Sequence, residues 1–257
     1  MRFADDVAVV TGASSGLGRQ LAADLARAGA TVIGVARREP ELAELSRVMR
    51  IDSPASTYRV CDLSEVDSYL ELLKALEEEF GRIDVLLNVA GHGGLQRARW
   101  PDLELVRRVM DINFFSPYAS MLAVVPGMRA RRHGVVANVV SDDARAPGPG
   151  PGDYEASKAA LAAATESLSY QVRPDGVHLH VVYPAWMPTA MGVAAVEKGG
   201  VPPPPRLARR TPERVSALVL DRLGGSRVEI NASALPLVAP VARSLVPWAY
   251  HRLRPRF

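Results

Sequence analysis

The sequence predicts an α/β chain built on a doubly wound parallel sheet: a single domain of three layers, with helices covering both faces of the strands. Three observations carry this reading. Short runs rich in Val and Ile alternate with longer segments of helical periodicity. The runs are apolar on both faces, as strands covered by helices on either side must be. A length of 257 residues, with 48% hydrophobic and 23% charged content, suits one large domain with a sizeable core.

The elements follow in order. DVAVVTGA (6–13) is a buried strand ahead of a helix through GRQLAADLARAG (18–29). TVIGVARR (31–38) is the second strand, ELAELSRVMR (41–50) the second helix and STYRVCDL (56–63) the third strand. VDSYLELLKALEEEFG (66–81) is an amphipathic helix with Gly81 as its stop signal. RIDVLLNVAG (82–91) is the fourth strand, and a long helical region covers 102–132. GVVANVVS (134–141) is the fifth strand, a helix starts near Asp153, and VHLHVVYPAW (177–186) is the sixth strand. A loop with a helix, a helix at 211–225 and the strand RVEINA (227–232) complete a domain over 1–232, with 233–257 as a C-terminal arm. APGPGPGD (146–153) and GGVPPPPR (199–206) read as loops.

The bulk numbers exclude several classes. Formal net charge is +3 with no basic stripe interleaved with aromatics, so nucleic acid is not an expected partner. The single Cys61 rules out an internal disulfide and fits a reducing compartment. The start MRFADD does not look like a signal peptide, so a cytoplasmic protein is expected. No stretch is cleanly apolar over the roughly 18 residues a membrane span needs. The nearest, ALPLVAPVARSLVPWAYHRLRPRF, is interrupted by Pro236, Pro240, Pro247 and Arg243. With Trp248, Tyr250, Arg252, Arg254 and Arg256 it could be an interfacial anchor. The reading placed first is an arm packed on the domain or on a neighbouring subunit. The histidines are scattered without metal-ligand spacing, so no metal is expected.

Three local patterns point to chemistry. The first strand ends in TGASSGLG, with Gly12, Gly16 and Gly18. A glycine-rich turn there lets backbone approach a pyrophosphate at a helix N-terminus. The second strand ends in Ala36-Arg37-Arg38, where this type of sheet meets an adenosine ribose. An acid there would favour NAD, whereas arginines can pair with a 2′-phosphate. One such charge-assisted bond contributes about 1.5–3 kcal/mol, roughly 10- to 100-fold in affinity, so NADP is the expected cofactor. Third, Tyr154 and Lys158 lie at i and i+4 on the helix after the Gly/Pro loop. They leave one face about 6 Å apart along the axis. A cation held there could pull a phenol's pKa down from about 10 and make it a proton donor or acceptor.

Taken together, TGASSGLG (11–18), CDL (61–63), NVAG (88–91), Asn113 in MDINFFS, Ser141 in NVVSDD, Tyr154 and Lys158 in YEASK, and PAWMPT (184–189) resemble the classical short-chain dehydrogenase/reductase family. The resemblance covers residues 5–232 and implies a Rossmann-like fold and NADP(H)-dependent interconversion of a ketone and a secondary alcohol. It implies Tyr154 as catalytic acid/base, with Lys158 lowering its pKa and binding the nicotinamide ribose. It implies Ser141 as the partner of the substrate oxygen and Asn113 as the holder of a water linking Lys158 to solvent. Gly12, Ser14, Ser15, Gly16, Leu17 and Gly18 would wrap the phosphates, with Arg37 and Arg38 at the 2′-phosphate. Asp62 and Leu63 would flank the adenine, and Asn88, Ala90 and Gly91 would line the cofactor cleft. Pro184, Met187 and Thr189 would meet the nicotinamide end. The family also pairs the two long helices across subunits, which implies a homodimer or homotetramer.

The chain departs from the family pattern in three places. Val89 replaces a second Asn, Asp142 the usual serine after Ser141, and Ala185 the usual Gly after Pro184. The last puts the turn beside the nicotinamide in question. Substrate walls would come from His92 to Gln96, Arg145 to Gly152, and Trp186 onward. Trp186, Met187 and Met191 suggest an apolar pocket and a lipophilic small-molecule carbonyl or alcohol substrate. The alternatives are a 3-oxoacyl-thioester reductase, with Arg129, Arg131 and Arg132 docking an acidic carrier, and a non-catalytic NADP-sensing protein. Intact Asn113, Ser141, Tyr154 and Lys158 speak against the sensor.

Overall fold

The computed structural model describes residues 3–93, 102–148, 150–199, 204, 206 and 209–253. Seven strands pair in parallel in the order β3-β2-β1-β4-β5-β6-β7. They are β1 (Val7–Thr11), β2 (Thr31–Ala36), β3 (Thr57–Val60), β4 (Val85–Asn88), β5 (Gly134–Val139), β6 (Val177–Tyr183) and β7 (Glu229–Asn231). The helices are α1 (Gly16–Arg27), α2 (Glu39–Asp52), α3 (Val66–Phe80), α4 (Leu103–Met110), α5 (Ser116–Arg131), α6 (Asp153–Val172), α7 (Ala190–Gly199), α8 (Pro212–Arg222), α9 (Leu235–Leu245) and α10 (Pro247–Leu253).

Strand alternation divides the core in two. Ala8 and Val10 of β1 join Leu21, Leu25, Leu42, Leu45 and Val219 under α1, α2 and α8. Val7 and Val9 join Tyr69, Leu73, Leu76, Met121 and Leu161 under α3, α5 and α6. The strand order reverses between β1 and β4, so the crevice of a doubly wound sheet opens at their carboxyl ends. That brings the loop after Thr11 beside the loop after Asn88.

The strands are shorter than the apolar runs suggest, because the last residues of each run peel away over this crevice. β4, for example, stops at Asn88, and the expected continuation through Gly91 is loop. Gly81 ends α3 in the left-handed conformation, at φ 76°. The continuous helix expected over 102–132 is interrupted by a π turn, Asp111–Phe115. Such a turn inserts an extra residue into the helical ladder, and it turns Asn113 fully into the interior.

At the amino ends of the central strands, buried Asp84 accepts the Val7 N–H at 3.0 Å and pairs with Arg82 at 2.6 Å. Asp6, Asp84 and His133 there bring ligand-type atoms within 4.8 Å of one another. The basic end of α5 lies at this amino-terminal end as well, and its side chains are engaged by the chain itself. Arg129 pairs with Asp175 at 2.7 Å, Arg131 donates to Ile83 O at 2.9 Å and Arg132 to Pro174 O at 3.2 Å. Among the described residues, no helix is long and apolar enough to cross a membrane.

Candidate active site

A cavity of about 1,710 Å³ opens at the carboxyl ends of the strands. A drug-sized ligand fills roughly 300–1,000 Å³, so this cavity has room for a dinucleotide and a substrate together. Gly12, Ser14, Ser15, Gly16, Leu17 and Gly18 form one wall. Backbone closeness dictates two of the glycines. A Cβ on Gly12 would stand 2.9 Å from Ala90 Cα, and one on Gly18 would stand 2.4 Å from Gly12 O. Ser15 begins α1 without a side-chain capping bond, and the first turn carries no acid. The helix end therefore offers its N–H groups to an anion in the cavity. Thr11, which the sequence reading passed over, fastens this wall to the next. Its Oγ1 accepts the N–H groups of Val89 and Ala90 at 3.0 and 3.2 Å.

Arg37 and Arg38 stand at the end of β2 and line the same cavity. Arg38 Nη2 donates to Ser14 Oγ at 2.9 Å. Arg37 and Arg108 reach one oxygen of Asp62 at 3.6 and 3.5 Å, and Asp62 and Leu63 also line the cavity. Partial burial works against the Asp62 charge, but the Ser64 hydrogen bonds and the two guanidiniums hold its pKa below the usual carboxylate range. Arg38 also pairs with Glu41 at 3.0 Å, so three guanidiniums face two carboxylates and one positive charge is left to attract a phosphate.

Ala90 and Gly91 line the cavity as expected, but Asn88 does not. Asn88 points into the interior, donating to Asn138 Oδ1 at 2.8 Å and Ser120 Oγ at 3.1 Å. The reason is register: Asn88 pairs with Asn138 across β4 and β5, so both point to the face covered by α5 and α6. Asn113 is fully buried, and its side chain is committed. Its Oδ1 accepts the His92 N–H at 2.8 Å, and its Nδ2 donates to His92 O and Ser157 Oγ, both at 3.0 Å. The amide side chain thus fixes the loop after β4 against α6.

Ser141, Tyr154 and Lys158 converge on the cavity. α6 begins at Asp153, which sends Tyr154 and Lys158 from one face. Ser141 precedes a short 3-10 turn, and its Oγ accepts the Asp143 N–H at 3.2 Å. Lys158 is 3% exposed and donates from Nζ to Val139 O at 2.9 Å. Burial lowers its pKa from 10.5 to about 8. The Tyr154 hydroxyl runs opposite to the sequence expectation: its pKa is raised, not lowered. Burial is the largest cause, the Asp143 carboxylate adds to it, and the hydrogen bond with Ser141 only partly opposes them. Asp142, which stands where the family pattern has a serine, adds a smaller upward push of its own.

Pro184, Met187 and Thr189 line the cavity at the end of β6. Thr189 Cγ2 lies 3.1 Å from where a Cβ on Gly16 would stand, so this loop closes on the glycine-rich turn. Ala185 takes a left-handed backbone at φ 63°. A residue that carries a Cβ is strained in that conformation. The Arg209 guanidinium lies 5.5 Å from the Trp186 ring. Of the expected substrate walls, Gly94, Leu95, Gln96 and Pro149 lie outside the described residues. One wall was not anticipated: Ser233, Ala234, Leu235 and Val238, from the start of the C-terminal arm, also line the cavity. No periodic signal announces them, because they follow the last strand and are placed by packing.

Comparisons agree with this geometry. A family model described as short chain dehydrogenase matches residues 6–199. An uncharacterized oxidoreductase of Myxococcus xanthus is 37% identical over 184 residues, 70% of this chain and 71% of that one. The 3-oxoacyl-[acyl-carrier-protein] reductase FabG of Escherichia coli is 32% identical over 91% of this chain and 90% of its own. Among solved structures, an actinorhodin polyketide ketoreductase variant with NADPH superposes with a TM-score of 0.79 at 25% identity, covering 90% of this chain and 97% of that chain. With a match across most of its length, the chain belongs to the short-chain dehydrogenase/reductase family of oxidoreductases.

Proposed function

We propose that the protein is an NADP-dependent oxidoreductase that interconverts a ketone and a secondary alcohol on a lipophilic substrate. One observation carries the reading: Ser141, Tyr154 and Lys158 share a cavity with a glycine-rich helix start flanked by Arg37 and Arg38. Arg37 and Arg38 would select the 2′-phosphate, and the backbone from Gly12 to Gly18 would hold the pyrophosphate. The bound dinucleotide supplies or accepts the hydride. Lys158 would hold the ribose hydroxyls and carry positive charge toward Tyr154. Ser141 would steady the substrate oxygen, and Tyr154 would give its proton to that oxygen during reduction. A raised pKa keeps Tyr154 protonated at neutral pH, which suits a donor. As a base in alcohol oxidation Tyr154 must first ionise, so oxidation should strengthen at alkaline pH.

The cavity wall made by Ile112, Trp186, Met187, Met191, Leu235 and Val238 favours an apolar substrate. The 32% identity to a 3-oxoacyl-[acyl-carrier-protein] reductase supports a second reading, a 3-oxoacyl thioester as the ketone. The exposed Phe115 of the π turn, Leu122 of α5 and Tyr170 of α6 support a homodimer or homotetramer formed through these helices.

The test is a fluorescence titration with NADPH and with NADH, followed by a turnover screen of lipophilic ketones and 3-oxoacyl thioesters. NADPH should bind at least tenfold more tightly than NADH, and Arg37→Ala should shrink that gap. Tyr154→Phe should bind cofactor normally and turn nothing over. An NADH preference would overturn the NADP assignment, and full turnover by Tyr154→Phe would overturn the mechanism.

A further inference from the structure

We propose that the C-terminal arm docks the protein on an anionic lipid surface, lying on it rather than crossing it. α9 is apolar on two sides. One side, Pro236 and Ala239, is buried against the domain. Two polar ties hold it there: Ser233 Oγ donates to Asp142 Oδ2 at 2.7 Å, and Arg145 Nη1 donates to Pro236 O at 3.3 Å. The other side carries Leu237, Val241 and Leu245, spaced by four residues, at 54%, 55% and 76% exposure. Trp248, 75% exposed, extends the patch onto α10. A helix that is apolar all round is normally buried, and a contiguous exposed patch of this kind marks a contact surface.

Charge selects the occupant. Residues 233–257 contain Arg243, His251, Arg252, Arg254 and Arg256 and no Asp or Glu; Arg254 and Arg256 lie outside the described residues. Two copies pairing through this side would set like charges against each other. Anionic headgroups would neutralise them, while Leu, Val and Trp side chains enter the acyl boundary and arginine stems reach back to the interface. Among the described residues no helix can span a bilayer, which leaves an in-plane arm. Leu235 and Val238 of this helix line the cavity. On the oxidoreductase reading above, a substrate dissolved in the bilayer would then meet the cavity mouth directly. That last step rests on the proposed function; the docking does not.

The experiment mixes the full chain with vesicles of phosphatidylglycerol and phosphatidylcholine in equal parts, or of phosphatidylcholine alone, and reads the bound fraction by flotation. Sedimentation velocity without lipid runs alongside. We expect binding to the anionic vesicles, at least tenfold weaker to the neutral ones. It should also be at least tenfold weaker for the combined Leu237→Glu, Val241→Glu and Leu245→Glu variant, with far-UV circular dichroism unchanged. Should that variant misfold, Leu245→Glu with Trp248→Ala, at the most exposed end, should show the same direction of loss. No binding to either vesicle, or undiminished binding by the folded variants, overturns the proposal. So does a lipid-free oligomer that the variants split, since it would assign the patch to a second copy. Vesicle binding is independent of NADPH affinity and turnover, so failure here leaves the oxidoreductase reading to its own test.

Discussion

Replacing Lys158 by Met should make the protein more stable at neutral pH while abolishing its activity. Lys158 is 3% exposed, and its pKa is pulled from 10.5 to about 8 by burial. At about 1.4 kcal/mol per pH unit, the folded state then disfavours the ammonium by about 3 kcal/mol relative to the unfolded chain. The sign follows from proton counting. Between about pH 8 and 10.5 the unfolded chain holds this proton and the folded chain has released it. The unfolded state therefore binds more protons, and stability rises with pH across that window. Below about pH 8 both states are charged and the full penalty stands. Met fills similar volume without charge but leaves the Val139 carbonyl without its donor at Nζ, a loss of about 1 kcal/mol. The net gain at pH 7 is about 2 kcal/mol, which for a chain of this size raises Tm by about 4–8 °C. Urea unfolding of both proteins from pH 6 to 10.5 measures it. The stability gap should be largest below pH 8 and close toward pH 10.5. A wild type more stable than Lys158→Met at pH 7, or a gap that ignores pH, would refute the claim that Lys158 is held at a cost for function.

Three further outcomes are expected. Ala185→Gly should relieve the left-handed strain at φ 63° and stabilise by about 0.5–1 kcal/mol after glycine's unfolded-state entropy is set against it; a loss of stability in thermal melts would show the turn to be unstrained. Gly18→Ala must move backbone, since the new Cβ would stand 2.4 Å from Gly12 O; NADPH affinity should fall at least tenfold, and unchanged binding in the titration would mean that this turn does not hold the dinucleotide. Asp143→Asn removes the strongest carboxylate influence raising the Tyr154 pKa, second only to burial. The acidic limb of alcohol oxidation, which needs the phenolate, should move to lower pH; an unmoved limb would mean that another group sets it.

Much of this protein was legible in sequence because the relevant physics is local. Short runs apolar on both faces, set between helical segments, define a covered parallel sheet, and the doubly wound fold follows. Glycines after the first strand, Arg37 and Arg38 after the second, and Tyr154 with Lys158 at helical spacing each report their neighbourhood through nearest neighbours alone. The features that escaped depend on distant partners. The π turn at Asn113 is invisible to periodicity, since it is stabilised by His92 and Ser157 from other segments. Asn88 was assigned to the cleft because it sits in NVAG, but its pairing with Asn138 on β5 turns it inward. The Tyr154 pKa is raised because burial and the carboxylates that folding brings near, Asp143 first among them, disfavour the phenolate. The arm from Ser233 onward became part of the cavity wall through Asp142 and Arg145, about 90 residues earlier in the chain. Sequence by itself determined the fold and which residue types reach the strand ends; tertiary structure decided which of them face the cavity and in what protonation state, because burial and electrostatics are sums over neighbours that only the folded chain assembles.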